Sequence, residues 1–193
     1  VMEEKTYRNG RKLARSGNSR GEITSFVFHK LCQALEKKDL FFQLFMGMEG
    51  NWSSTSTANN DPQRVVKLHG LFDNYDLNFE LVLASEINNM DVVQAGRMFP
   101  NVYAGGLWWF NFRVSSFREC MQQRFEALPA GKSSFVVSDA RSIEWCYGKI
   151  LLIKSIMADY LYKQIEEGWI KEEQALKTAR KWLYESAKGN FEK

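Results

Sequence analysis

Residues 79–107, FELVLASEINNMDVVQAGRMFPNVYAGGL, read as one strand–helix–strand unit. The run FELVLA at 79–84 is short and largely apolar rather than strictly alternating. That is the pattern of a strand covered on both faces, as in parallel sheets with crossover helices. A helix is expected over about 90–98, ended by Pro100, and a further strand over Val102–Leu107, with WWF following at 108–110.

The same rhythm recurs on either side. Upstream, Phe26, Val27, Lys30, Leu31, Ala34 and Leu35 fit the 3.6-residue stripe of a helix over 23–36. LFFQLFM at 40–46 reads as a strand, and a hydroxyl- and amide-rich segment, 47–61, follows it. Asp61-Pro62 suits an N-cap followed by proline at the first helical position, opening a helix over 62–73. Downstream, a helix over 117–128 and a turn at 129–131 lead to a fourth strand, SFVVS at 134–138. A long helix over 143–167 comes next. The last helix, 171–187, carries one apolar face of Ala175, Leu176, Ala179, Trp182 and Leu183.

Strand starts near 40, 79, 102 and 134 suit βα units. Four such units fit either a small open parallel sheet or half of a (βα)8 barrel, which as a whole takes about 250 residues. The 193 residues read as a single domain segment in three parts. These are a basic flank plus helix over 1–39, strands and crossover helices over 40–142, and C-terminal helices over 143–193.

Composition narrows the function classes. Hydrophobic residues make up 45% and charged residues 25%, as in soluble globular proteins. The longest apolar stretches fall far short of the roughly 20 residues a spanning helix needs, so no membrane partner is expected. Lys and Arg total 26 against 23 Asp and Glu, and a net charge of +3 is too weak a bias for a dedicated nucleic-acid binder. The basic run Lys5, Arg8, Arg11, Lys12, Arg15 and Arg20 suits a solvated flank better than a phosphate site. Cys32, Cys120 and Cys146 lack CxxC spacing, which argues for a reducing, cytoplasmic compartment and against a zinc ribbon.

In either architecture chemistry belongs at the C-terminal ends of the strands. That rule selects Gly47, Glu49 and Asn51 after the first strand and Ser85 and Glu86 after the second. It selects Trp108, Trp109 and Asn111 after the third, and Asp139 and Arg141 after the fourth. Asp139 is the most suggestive, because a strand-end carboxylate can ligate a metal or accept a proton from carbon. It could also cap the next helix, but Ser142 is better placed to do so. Arg141 could grip an anionic or polyhydroxylated ligand, or pair with Asp139 or Glu144. Trp108 and Trp109 should face opposite ways, one walling a cleft and the other packing inside; adjacent aromatics are more often core than site. His29 and His69 fall inside helices. The chain has no HxH, HExxH, GxSxG or Walker A motif, nor a GxGxxG after a strand.

Three runs carry a resemblance. Gly106-Leu107-Trp108-Trp109-Phe110-Asn111 resembles the GWWFN segment of the uronate (glucuronate) isomerases. Ser138-Asp139-Ala140-Arg141-Ser142 is similar to their TDSRS segment after the last barrel strand, and residues 184–191, YESAKGNF, to their closing YxNAxxxF pattern. Their order and spacing match, from about Leu40 to the C-terminus. The family belongs to the amidohydrolase superfamily of metal-dependent (βα)8 barrels. The resemblance therefore implies an α/β chain forming the C-terminal half of a TIM barrel, strands five to eight. It implies aldose–ketose interconversion of sugar acids through an enediol: glucuronate with fructuronate, galacturonate with tagaturonate. Asp139 would contact a divalent metal, usually zinc, and move the proton. Arg141 would bind substrate oxygens, and Trp108 or Trp109 would line the sugar pocket. The expected partners are a small-molecule sugar acid and the N-terminal half of the barrel, with association into a homo-oligomer.

Two departures stand out. The family's first-strand HxH ligands are absent along with the first half of the barrel, so these residues are not expected to be competent alone. FQLFMGMEG also lacks the histidine that members carry near the end of strand five, which suggests a divergent subgroup. Two other functions remain open: a metal-dependent amidohydrolase-type hydrolase, and a non-catalytic sugar-acid binding module.

Overall fold

The computed structural model describes residues 20–46, 65–108 and 112–191. Helix α1, Arg20–Glu36, precedes β1, Phe42–Met46. A 3-10 turn, Val66–Leu68, runs into α2, His69–Asn74, and then β2, Phe79–Leu83. A second 3-10 turn, Glu86–Asn88, opens α3, Asn89–Met98, followed by β3, Val102–Leu107, and α4, Val114–Ala127. After a 3-10 turn at Ala130–Lys132 come α5, Ile143–Glu166, and α6, Glu172–Arg180. A π turn, Lys181–Glu185, joins α6 to α7, Ser186–Phe191. The proposed cap at Asp61-Pro62 lies outside the described residues.

Among the described residues the sheet has three strands in the order β1-β2-β3, all parallel. Phe42 pairs with Phe79 and Phe79 with Val102, so the three strands start level. Every residue of β2 is buried, as expected for a central strand covered on both faces. Alternation puts Phe79, Leu81 and Leu83 on one face and Glu80 and Val82 on the other. The first face meets the helices: the Phe79 ring lies 5.1 Å from Phe72 of α2. On the opposite face Glu80 accepts from Gln43 Nε2 of β1 at 2.6 Å and from Ser134 Oγ at 3.0 Å.

The expected fourth strand needs correction. Residues 133–138 run beside β3, yet their pairing is one parallel bridge, Ser133 to Ala104, with Ser134 N donating to Ala104 O at 2.9 Å. The cause is close approach. A Cβ added at Gly106 would lie 2.8 Å from Val137 Cβ and 3.1 Å from Val137 N, so the segment leans its side chain onto bare β3 backbone. Its next N–H turns elsewhere. Phe135 N donates to the carbonyl of Trp182 at 3.0 Å. In a regular α-helix that carbonyl would receive Ser186 N, which here reaches back to Lys181 instead.

Arg124 of α4 supplies much of what the missing ladder does not. Its side chain is 1% exposed and donates to Asn89 Oδ1 at 2.8 Å, Gly105 O at 2.7 Å and Ser134 O at 3.3 Å. The guanidinium also lies over the Phe135 ring, 5.1 Å from its centroid. One cation thus clamps the backbones of β3 and the 133–138 segment together. Burial pushes its pKa down to about 10. At the other end of β3, Lys132 Nζ holds the carbonyls of Phe99 and Val102 at 3.1 and 3.0 Å and that of Pro100, fixing where the strand begins.

Candidate functional site

Two of the expected site residues meet at the C-terminal end of the sheet. Trp108 follows β3 directly, and its backbone N–H still bonds to Leu83 O at 2.7 Å. Its indole Nε1 donates to Asp139 Oδ2 at 2.7 Å. The Phe45 ring, from the end of β1, stands edge-on to the indole at 5.3 Å and 88°. Phe45 and Trp108 therefore wall the same side of the strand ends as Asp139. Trp109 and Asn111, and Gly47, Glu49 and Asn51, lie outside the described residues.

Asp139 has a backbone φ of 40°, in the left-handed region where Asp is tolerated better than most residues. This turn ends the extended segment and lets the chain enter α5. Ser142 is the N-cap of α5, its side chain accepting from Trp145 N at 3.2 Å. The carboxylate of Asp139 is therefore not used as a cap. Asp139 is exposed; Oδ2 is fixed by the indole, and Oδ1 has no hydrogen-bond partner among the described residues.

Arg141 is exposed two residues on, and makes no ion pair with Asp139 or Glu144 among the described residues. Glu86, after β2, pairs instead with Arg113 at 3.1 Å, linking the loops that follow β2 and β3.

Lys149 was not among the expected residues. It lies on the second turn of α5, and its Nζ donates to Ser138 O. The ammonium sits 4.8 Å from the Trp145 ring and 5.0 Å from the Phe112 ring, which stack on each other at 6.3 Å and 18°. Burial lowers its pKa, and the nearby Asp139 charge opposes that shift. The only trace in the sequence is the i, i+4 spacing of Trp145 and Lys149, which puts ring and cation on one helix face.

Of the other titratable candidates, His29, Cys32 and Cys120 settle into the core, whereas His69 is exposed and Cys146 half-buried. His29 bonds Tyr75 Oη through Nδ1 at 2.6 Å and is lowered in pKa by burial. Cys32 and Cys120 are buried and unpaired, their thiols pushed up to about 12, which suits packing rather than nucleophilic work.

Among the described residues no three His, Cys, Asp or Glu side chains come together as a metal site. Asp139 presents one open carboxylate oxygen, suited to a single bond to a hard divalent ion and no more. Nor is any helix among them long and apolar enough to cross a membrane.

No protein-family model matches the chain, and no curated protein is similar to it. Solved structures do share its fold. A uronate isomerase from Thermotoga maritima superposes with a TM-score of 0.75 at 17% identity, covering 99% of this chain and 46% of that one. A Lactobacillus casei protein, provisionally described as a metal-dependent hydrolase, gives 0.75 at 12% identity, covering 97% and 49%. A uronate isomerase from Bacillus halodurans gives 0.53 at 20%, covering 81% and 39%. The chain therefore has an α/β fold, a parallel sheet with helices, of the kind seen in uronate isomerase structures, and spans under half of each.

Proposed function

We propose that this chain is the C-terminal half of a (βα)8 barrel whose completed form interconverts aldose and ketose sugar acids. The observation that carries the reading is the Trp108–Asp139 hydrogen bond at the strand ends, which engages one oxygen of an exposed carboxylate beside an aromatic pair. The likeness to two uronate isomerase structures supports the fold half of the proposal.

In this reading the Asp139 carboxylate takes the proton from C2 of the aldose as the electron pair moves onto the C1 carbonyl oxygen, giving an enediolate. The proton of the C2 hydroxyl passes to that C1 oxygen, and the same carboxyl returns the first proton to C1 as C2 becomes the ketone. The Trp108 N–H holds the carboxylate in one orientation for both transfers. Arg141, exposed two residues on, would engage the oxygens of the substrate, and Trp108 or Trp109 would line the sugar pocket. A bound divalent metal, zinc by the resemblance, would polarise the carbonyl. Asp139 would give it one ligand, and the rest would come from the N-terminal half of the barrel. A cytoplasmic location and association of copies belong to the same reading, the former supported by the unpaired cysteines.

The test is Asp139→Asn in the full-length protein, assayed for ketose formation from glucuronate and galacturonate. A fall of about 10³-fold in kcat is expected for loss of a general base. Near-normal turnover would remove Asp139 from that role. The equal likeness to the Lactobacillus casei protein favours one other reading, hydrolysis with Asp139 activating water. Turnover of lactones or amides without ketose formation would select it.

A further inference from the structure

We propose that Lys149 is the positioning residue for Asp139: by holding the Ser138 carbonyl it fixes the turn that presents the carboxylate to Trp108. The catalytic part of this rests on the isomerase reading; the positioning part does not.

The argument begins with the peptide plane. Ser138 C=O and Asp139 N–H belong to one rigid planar unit. Anchoring that carbonyl anchors one side of the N–Cα bond whose rotation is the φ of Asp139. The other side is held by the bond from Trp108 Nε1 to the carboxylate, 2.7 Å long. A φ of 40° is unfavourable for a residue with a Cβ and lasts only where its surroundings over-determine it. Here the two ends of the residue are pinned independently.

Lys149 is built for that task. It is only 5% exposed, so its ammonium is not offered to a ligand in the cleft. Burying a cation needs compensation. The Ser138 carbonyl and the faces of Phe112 and Trp145, at 5.0 and 4.8 Å, supply it in direct contact, and the nearby Asp139 charge adds to them. Because Trp145 stands one helical turn before Lys149 on α5, the clamp is set by the helix itself and by its Ser142 cap. Lys149 thereby ties the orientation of α5 to that of the Asp139 turn.

The experiment uses the full-length protein and reads the indole N–H resonances together with steady-state kinetics. In Lys149→Met the Trp108 Nε1–H resonance should move towards its position in Asp139→Asn, while that of Trp169, beyond the far end of α5, stays put. kcat should fall about 10- to 100-fold with KM changed less than about threefold, since small misplacements of a reacting group cost about that much. Lys149→Arg should recover most of both. An unmoved Trp108 resonance with unchanged kcat overturns the proposal. If Lys149→Met loses its folded spectrum, Trp145→Leu takes its place. That ring is 45% exposed, and its removal weakens the clamp without stranding a charge. A smaller shift at Trp108 is then expected, and none refutes the role. If the wild type converts no uronate yet the Trp108 resonance still moves in Lys149→Met, the isomerase reading fails and the positioning role stands.

Discussion

Replacing Gly106 by alanine tests the contact on which the strand-end geometry depends. The new Cβ would lie 2.8 Å from Val137 Cβ and 3.1 Å from Val137 N, and nearer still to Val137 Cγ2. Carbon atoms pack at about 3.5–4.0 Å, so the 133–138 segment must retreat from β3 by about 1 Å. Overpacking of this kind costs about 1–3 kcal/mol. The retreat would also stretch the bonds from Arg124 Nη1 to Gly105 O and Ser134 O, now 2.7 and 3.3 Å. The combined loss should fall near the top of that range. The assay is urea unfolding of four proteins: wild type, Gly106→Ala, Val137→Gly and the double variant. Val137→Gly removes the side chain that the new methyl strikes, though not the backbone N. The double variant should therefore recover at least half of what Gly106→Ala loses beyond the cost of Val137→Gly alone, a coupling of about 1 kcal/mol. A Gly106→Ala protein as stable as wild type, or strict additivity in the cycle, would refute the account of why this segment fails to pair as a strand.

Two further outcomes follow from buried polar groups. Arg124→Met should destabilise the fold by about 3 kcal/mol, because the Gly105 and Ser134 carbonyls lose their shared donor in a buried setting; Arg124→Lys should fall between, and chemical denaturation measures both. His29 is buried with a lowered pKa, so the unfolded chain binds more protons as pH falls through the ordinary histidine value of about 6.5. Its contribution to stability is present above that pH and is lost as pH drops further towards the folded pKa. Wild type should therefore lose more stability than His29→Gln between pH 7.5 and 5.5, by up to about 1.4 kcal/mol per pH unit; equal losses would exclude the effect.

The strand–helix–strand unit at 79–107 was legible because burial on both faces leaves an apolar run that few other settings tolerate. Two boundaries shifted little: β1 begins at Phe42 rather than Leu40, and α4 at Val114 rather than Phe117. The helix expected over 62–73 is, among the described residues, a 3-10 turn and a short helix from His69, and the one expected over 171–187 is interrupted by the π turn. SFVVS misled for a physical reason. An apolar run reports burial, not hydrogen-bond partners: Ser134 and Phe135 are buried and the next three residues half-buried, while the segment bonds to Arg124 and to Trp182 O. The rule that chemistry sits at strand ends selected Asp139 and Trp108, which the fold brings into contact, and capping preference at the start of the next helix picked out Ser142. It could not find Lys149 or Arg124. Both reach the strands from helices, and their burial depends on partners distant in sequence.

The π turn at Lys181–Glu185 has a consequence for chain length. Trp182, Ser186 and Asn190 are all buried, and steps of four residues overshoot a 3.6-residue revolution by about 40° each. A regular spiral would swing Asn190 away from the side Trp182 faces. The widened loop takes up the surplus, as a leap day keeps a calendar in season. Deleting one residue within it would put every later side chain out of phase with the sheet, and leave Phe135 reaching for a carbonyl that has rotated away.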